Sequence, residues 1–131
     1  MIQTVTPFLM FEGKAEAAMT FYVSLFDDGE VVELVRYAAG QPGPEGSVFK
    51  GVFRVGGQTV RCFDSHVHHA FTFTPAWSLF IDCDSDAQIE RLAAALGEGG
   101  KVMMALADYG FSRRFTWVED RFGVSWQINL P

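Results

Sequence analysis

The stretch AWSLFIDCDSDAQIERLAAALGEGGKVMMALAD (76–108) decides the fold, because an earlier stretch, TPFLMFEGKAEAAMTFYVSLFDDGEVVELVRYA (6–38), has the same order of patterns. Each opens on an apolar run with strand spacing, continues as an amphipathic helix, ends that helix at glycine and resumes as a strand. In the first, Ala18, Phe21, Tyr22, Leu25 and Phe26 fall on one helical stripe and Gly29 stops it. In the second, Ile89, Leu92, Ala93 and Leu96 form the stripe, and Gly97, Gly99 and Gly100 end it. Ser85 with Gln88 three residues on reads as a capping box. Each large side chain of a buried stripe contributes about 1.5–3 kcal/mol at most, so each helix needs a sheet to lie on.

Working outward, SVFKGVFRV (47–55) and QTVRCFD (58–64) add two strands to the first half, separated from their neighbours by GQPGPEG and by Gly56-Gly57. SRRFTWVED (112–120) and GVSWQINL (123–130) add two to the second. The chain therefore reads as α+β, two βαβββ modules over residues 1–66 and 67–131 of one domain, repeating at a period of about seventy residues. Two such sheets, each backed by a helix on its outer side, are expected to curve around an apolar cup suited to a small molecule.

Composition is consistent with this. The 131 residues are 49% hydrophobic and 15% aromatic, with 13 Phe, more aromatic surface than one small core requires. The net charge of −6 argues against nucleic acid. Cys62 and Cys83 form no CxxC pair and read as buried, reduced thiols of a cytoplasmic protein. No run approaches the ~20 apolar residues of a membrane helix, and the N-terminus lacks the basic segment of a signal peptide.

CFDSHVHHAF (62–71) contains every histidine of the chain, together with Cys62 and Asp64. On an extended strand Cys62, Asp64, His66 and His68 would share a face. Their two-residue spacing separates them by ~6.5–7 Å, too far for ligands needed at about 2.0–2.3 Å from one ion. With no second cluster elsewhere, the stretch reads as a polar connection between modules rather than a metal site.

TPFLMFEGKAEAAMTFYVSLF, FTFTPAWSLFIDCDS and SRRFTWVEDRFGVSWQINL resemble the PhnB-like branch of the vicinal oxygen chelate superfamily, which includes glyoxalases, extradiol dioxygenases and bleomycin-binding proteins. That branch often carries the label 3-demethylubiquinone-9 3-methyltransferase. The resemblance covers nearly the whole chain, and DRFGVSWQI is its most specific piece. It implies a glyoxalase/bleomycin resistance-like fold and a homodimer. In metal-using relatives a divalent ion is held by His or Gln near the first strand of each half and by Glu near the last strand. The corresponding places here are Pro7, Trp77 or Ser78, Arg61 or Cys62, and Gln127.

The resulting expectation is a metal-independent small-molecule cup with no cofactor. Gln127 and Ser125 line it, Trp77 or Phe80 stands at its wall, and Tyr109, Phe111 and Arg113 sit at its mouth, Arg113 able to grip an anion. Solvent-facing polar residues on the last strand, and a metal-dependent glyoxalase- or dioxygenase-type enzyme or a methyltransferase, stand as the alternatives. The chain has no glycine-rich strand-to-helix turn of the kind S-adenosylmethionine folds use.

Overall fold

The computed structural model describes residues 1–131. The chain divides into two compact units, Met1–Ala70 and Phe71–Pro131. In the first, β1 (Phe8–Phe11), α1 (Ala15–Ser24), β2 (Glu30–Arg36), β3 (Val48–Val55) and β4 (Gln58–Asp64) follow one another. In the second the same order recurs as β5 (Leu79–Asp82), α2 (Asp86–Gly97), β6 (Lys101–Ala107), β7 (Arg114–Glu119) and β8 (Ser125–Leu130). Each unit holds one four-stranded mixed sheet, in the orders β1-β4-β3-β2 and β5-β8-β7-β6. The first strand of each unit runs parallel to the last, and the other pairings are antiparallel. Neither sheet closes on itself, and no helix is long and apolar enough to cross a membrane.

Each helix covers one face of its sheet. Ala15, Ala18, Met19 and Tyr22 are the buried residues of α1, packed over the face that carries Val48, Phe53, Val60 and Cys62. The buried stripe thus includes Met19 and Ala15, while Phe21 is only half-buried and leans on Tyr22 with ring centroids 5.8 Å apart. Ile89, Leu92 and Leu96 of α2 cover Val118, Trp126, Ile128 and Leu130. Ser85 caps α2, its Oγ accepting from the Gln88 N–H at 3.2 Å, and the Gln88 side chain accepts from the Asp84 N–H at 2.8 Å.

The first unit is fastened by Asp64, whose side chain is buried at the end of β4. Its Oδ1 accepts from the N–H groups of Gly13 (2.8 Å) and Ala15 (3.0 Å), and its Oδ2 from that of Val48 (2.9 Å). One carboxylate thus satisfies the start of α1 and of β3, where a buried N–H without an acceptor is costly. Asp120, also buried, fastens the second unit. Its Oδ1 accepts from Phe122 N (2.8 Å) and Val124 N (3.1 Å), and its Oδ2 from Trp126 Nε1 (2.8 Å). These bonds, with Gly123 at φ +89°, give the motif DRFGVSW its structural meaning: a β7–β8 turn built around one acid.

Candidate functional site

The face of the second sheet away from α2 gathers most of the residues singled out in the sequence. Alternation places Ser78, Phe80 and Asp82 on it from β5 and the segment before it, Ser125, Gln127 and Asn129 from β8, and Phe115 and Trp117 from β7. Register sets Phe80 beside Gln127, Gln127 beside Trp117, and Asn129 beside Phe115.

A hydrogen-bonded row crosses this face. Trp117 Nε1 donates to Ser125 Oγ at 2.8 Å. Ser125 Oγ and Ser78 Oγ share a bond of 2.6 Å. Gln127 Nε2 donates to Ser78 Oγ at 3.3 Å. Ser125 is only 1% exposed, so the polar side of β8 does not simply face bulk water, whereas Ser78 and Gln127 are partly open. Farther along, Asn129 Nδ2 donates to Asp82 Oδ1 at 3.0 Å and leaves its own buried Oδ1 without a donor.

An aromatic cluster borders the row. Phe115 is the buried hub, with Phe111 at 5.0 Å, Tyr109 at 6.2 Å and Phe80 at 6.5 Å between ring centroids. Phe80 and Phe111 are 57% and 63% exposed, an unusual state for large apolar rings and one suited to contact with another molecule. The segment carrying Tyr109 and Phe111 is tied down: Tyr109 Oη donates to the Ala105 carbonyl at 2.5 Å, and Gly110 N to Asp108 Oδ1 at 2.8 Å. Gly110 has φ +96°, a backbone state that glycine adopts without strain.

The structure therefore brings together Gln127, Ser125, Phe80, Tyr109 and Phe111. Trp77 is half exposed in the turn before β5, and no hydrogen bond or ring contact joins its side chain to the row. Arg113 is exposed and donates from Nε to the Pro131 carbonyl at 2.6 Å, beside the cluster in sequence but tied to the end of β8. Its neighbour Arg114 turns to the helix side and pairs with Asp86 and Glu90, whose carboxylates raise its already high pKa. Phe115 was not legible as a site residue, and Ser78 only as the alternative to Trp77 at a place where metal-using relatives hold a ligand. Ser78 lies 47 residues from Ser125, and only the parallel β5–β8 pairing joins them.

In the first unit the matching in-register pair, first strand to last, is Phe8 beside Arg61. Arg61 N donates to the Pro7 carbonyl at 2.9 Å, so Pro7 and Arg61 are neighbours there as Ser78 and Gln127 are in the second unit. Several side chains of CFDSHVHHAF are otherwise engaged. Asp64 is spent on backbone N–H groups. His68 Nδ1 meets Glu12 Oε1 at 2.7 Å, which lowers the Glu12 pKa, and His69 Nε2 meets Ser65 Oγ at 3.2 Å. Cys62 is buried under α1, and burial, aided by the Asp64 charge, pushes its thiol up to about 12. Burial raises Cys83 as well. No group of three or more His, Cys, Asp or Glu side chains is placed to hold a metal ion.

This architecture is that of the vicinal oxygen chelate superfamily. Structures of fosfomycin resistance proteins from Mesorhizobium loti (15% identity, 100% of this chain and 94% of that one, TM-score 0.62) and Listeria monocytogenes (12%, 100% and 94%, TM-score 0.64) share the fold. Residues 3–129 match the family model described as 3-demethylubiquinone-9 3-methyltransferase, and the chain belongs to that family. A putative 3-demethylubiquinone-9 3-methyltransferase, PhnB protein, from Bacillus cereus is 48% identical, with TM-score 0.95 over 98% of this chain and 100% of that one. An uncharacterised protein of Mycobacterium bovis is 32% identical over 97% of this chain and 82% of its own length.

Proposed function

We propose that the open face of the second sheet binds a small molecule with an aromatic or otherwise flat apolar part, and does so without a metal. The observation that carries this reading is the hydrogen-bonded row Trp117–Ser125–Ser78–Gln127 lying beside exposed aromatic rings. A few fixed polar groups against an apolar wall are what orient a small ligand.

The donor set does not fit a divalent ion. The fosfomycin resistance protein from Listeria monocytogenes was crystallised with manganese(II). Here the places to which the superfamily pattern points hold Pro7, Arg61 or Cys62, Trp77 or Ser78, and Gln127. They offer at most two neutral oxygens beside a guanidinium or a thiol held neutral by burial, with no carboxylate or imidazole. Methyl transfer, the activity in the family's description, finds no support in the strand-to-helix turns. The turn from β1 to α1 holds one glycine, Gly13, and that from β5 to α2 holds none. Both helix starts are already occupied, by Asp64 and by Ser85, so neither is free for a cofactor phosphate or carboxylate.

The test is ¹⁵N NMR of the full chain during addition of a set of small aromatic compounds. Binders should move the indole N–H of Trp117 and the side-chain amide of Gln127 ahead of all other signals. Uniform indifference of both groups across the set, or shifts confined to another surface, would overturn the proposal.

A further inference from the structure

The hydroxyl row has a direction, and the direction selects the ligand. Trp117 Nε1–H can only donate, so Ser125 Oγ accepts it. The one other partner of Ser125 is Ser78, with Oγ–Oγ at 2.6 Å. If Ser78 donated in that bond, the Ser125 proton would be left in a site 1% exposed with no acceptor. Ser125 therefore donates to Ser78. Ser78 also accepts from Gln127 Nε2 at 3.3 Å. Its own O–H proton then has no acceptor within the chain, and Ser78 is partly open. Gln127, giving one amide N–H to Ser78, keeps Oε1 free of any donor in the chain.

We infer that Ser78 and Gln127 present one hydroxyl donor and one carbonyl acceptor side by side, and that the site takes a neutral group carrying the complementary pair on one edge: a primary carboxamide, a lactam or a hydroxy-carbonyl. This rests on the ligand site proposed above and adds its chemistry. Ser78 becomes a binding residue. Ser125 and Trp117 become positioning residues that fix which way its proton points. A carboxylate offers no donor to Gln127 Oε1, and a simple ketone offers none either. The aromatic part of the ligand falls beside Phe80, which is in register with Gln127.

The test uses the full chain and three probes of one size: benzamide, acetophenone and benzoate. Affinity is read from the Trp117 and Gln127 NMR shifts. Benzamide should bind roughly fivefold or more tightly than either of the others, one hydrogen bond's worth. Ser78→Ala should weaken benzamide and acetophenone by a similar factor while Ser78→Thr, which restores a hydroxyl, keeps both, and Gln127→Ala should remove the preference between them; thermal melts confirm that the variants fold. Equal binding of acetophenone and benzamide means that Gln127 offers no acceptor, and it overturns the inference while leaving the site standing. Preference for benzoate, or a preference unchanged in Gln127→Ala, overturns it too. If no probe binds, the site itself falls and the inference with it.

Discussion

Asp64 joins three segments through two oxygens, and its removal should be felt far more than that of an ordinary acid. Asp64→Ala would leave the N–H groups of Gly13, Ala15 and Val48 without an acceptor in a buried place, at a cost of about 3 kcal/mol or more. Asp28 is a useful control. It also accepts two backbone N–H groups, from Gly56 and Gly57 at 2.7 Å, and they lower its pKa, but it stands in water that can replace it. Urea unfolding should show a large fall in midpoint for Asp64→Ala and a small one for Asp28→Ala. Equal effects would refute the role given to Asp64. The thiols give a second residue-scale prediction. With the Cys62 thiol at about 12 in the folded chain and 9.0 as its ordinary value, thiolate is scarce at pH 8, and iodoacetamide should spare it until the chain unfolds. The sign for stability follows. The neutral thiol is favoured by folding, so its contribution is complete below pH 9 and is lost as pH rises toward about 12. Cys62→Ala should flatten that alkaline loss; an unchanged slope would contradict it.

At the scale of elements, each unit makes the same turn from helix into its second strand, and each makes it through a glycine with no room for a side chain. A Cβ on Gly29, just before β2, would lie 1.9 Å from the Val23 carbonyl oxygen. On Gly100, just before β6, it would lie 2.0 Å from that of Glu119. Backbone cannot yield as a side chain can, so Gly100→Ala should destabilise the second unit by about 3 kcal/mol, against less than about 1 kcal/mol for Ser112→Ala, measured by urea unfolding. Wild-type stability in Gly100→Ala would show that this contact relaxes freely. These glycines were legible as helix stops, and the alternation of Val124, Trp126, Ile128 and Leu130 with Ser125, Gln127 and Asn129 gave β8 its two faces. The first strand of each unit is shorter than its apolar run. Pro7 has no N–H to give the ladder, and the Trp77 N–H turns back to the Thr74 carbonyl at 3.4 Å. In the sequence Asp64 falls within a stretch that reads as a polar connection, yet it is buried. Its phase with the buried Val60 and Cys62 was the signal that it points under the helix. The bonds that Trp117 and Ser78 make to Ser125 carried no such signal, because they come from strand pairing and not from neighbours in sequence.

At the scale of the whole molecule, the exposed rings of the second unit, and Phe8, Phe49 and Val32 in the first, leave large apolar side chains in water. Association into a homodimer is the reading consistent with this surface, and sedimentation at tens of micromolar should give the mass of two chains; a single chain at that concentration would rule it out. The central claim is the metal-free ligand site, and native mass spectrometry tests it most directly on freshly purified protein, the natural chain beside Gln127→Ala. The natural chain should carry an organic adduct and no stoichiometric metal, while Gln127→Ala, melting within a few degrees of it, should appear without the adduct. A divalent ion bound one per chain and lost in Gln127→Ala would contradict the account, as would the same adduct at equal occupancy in both.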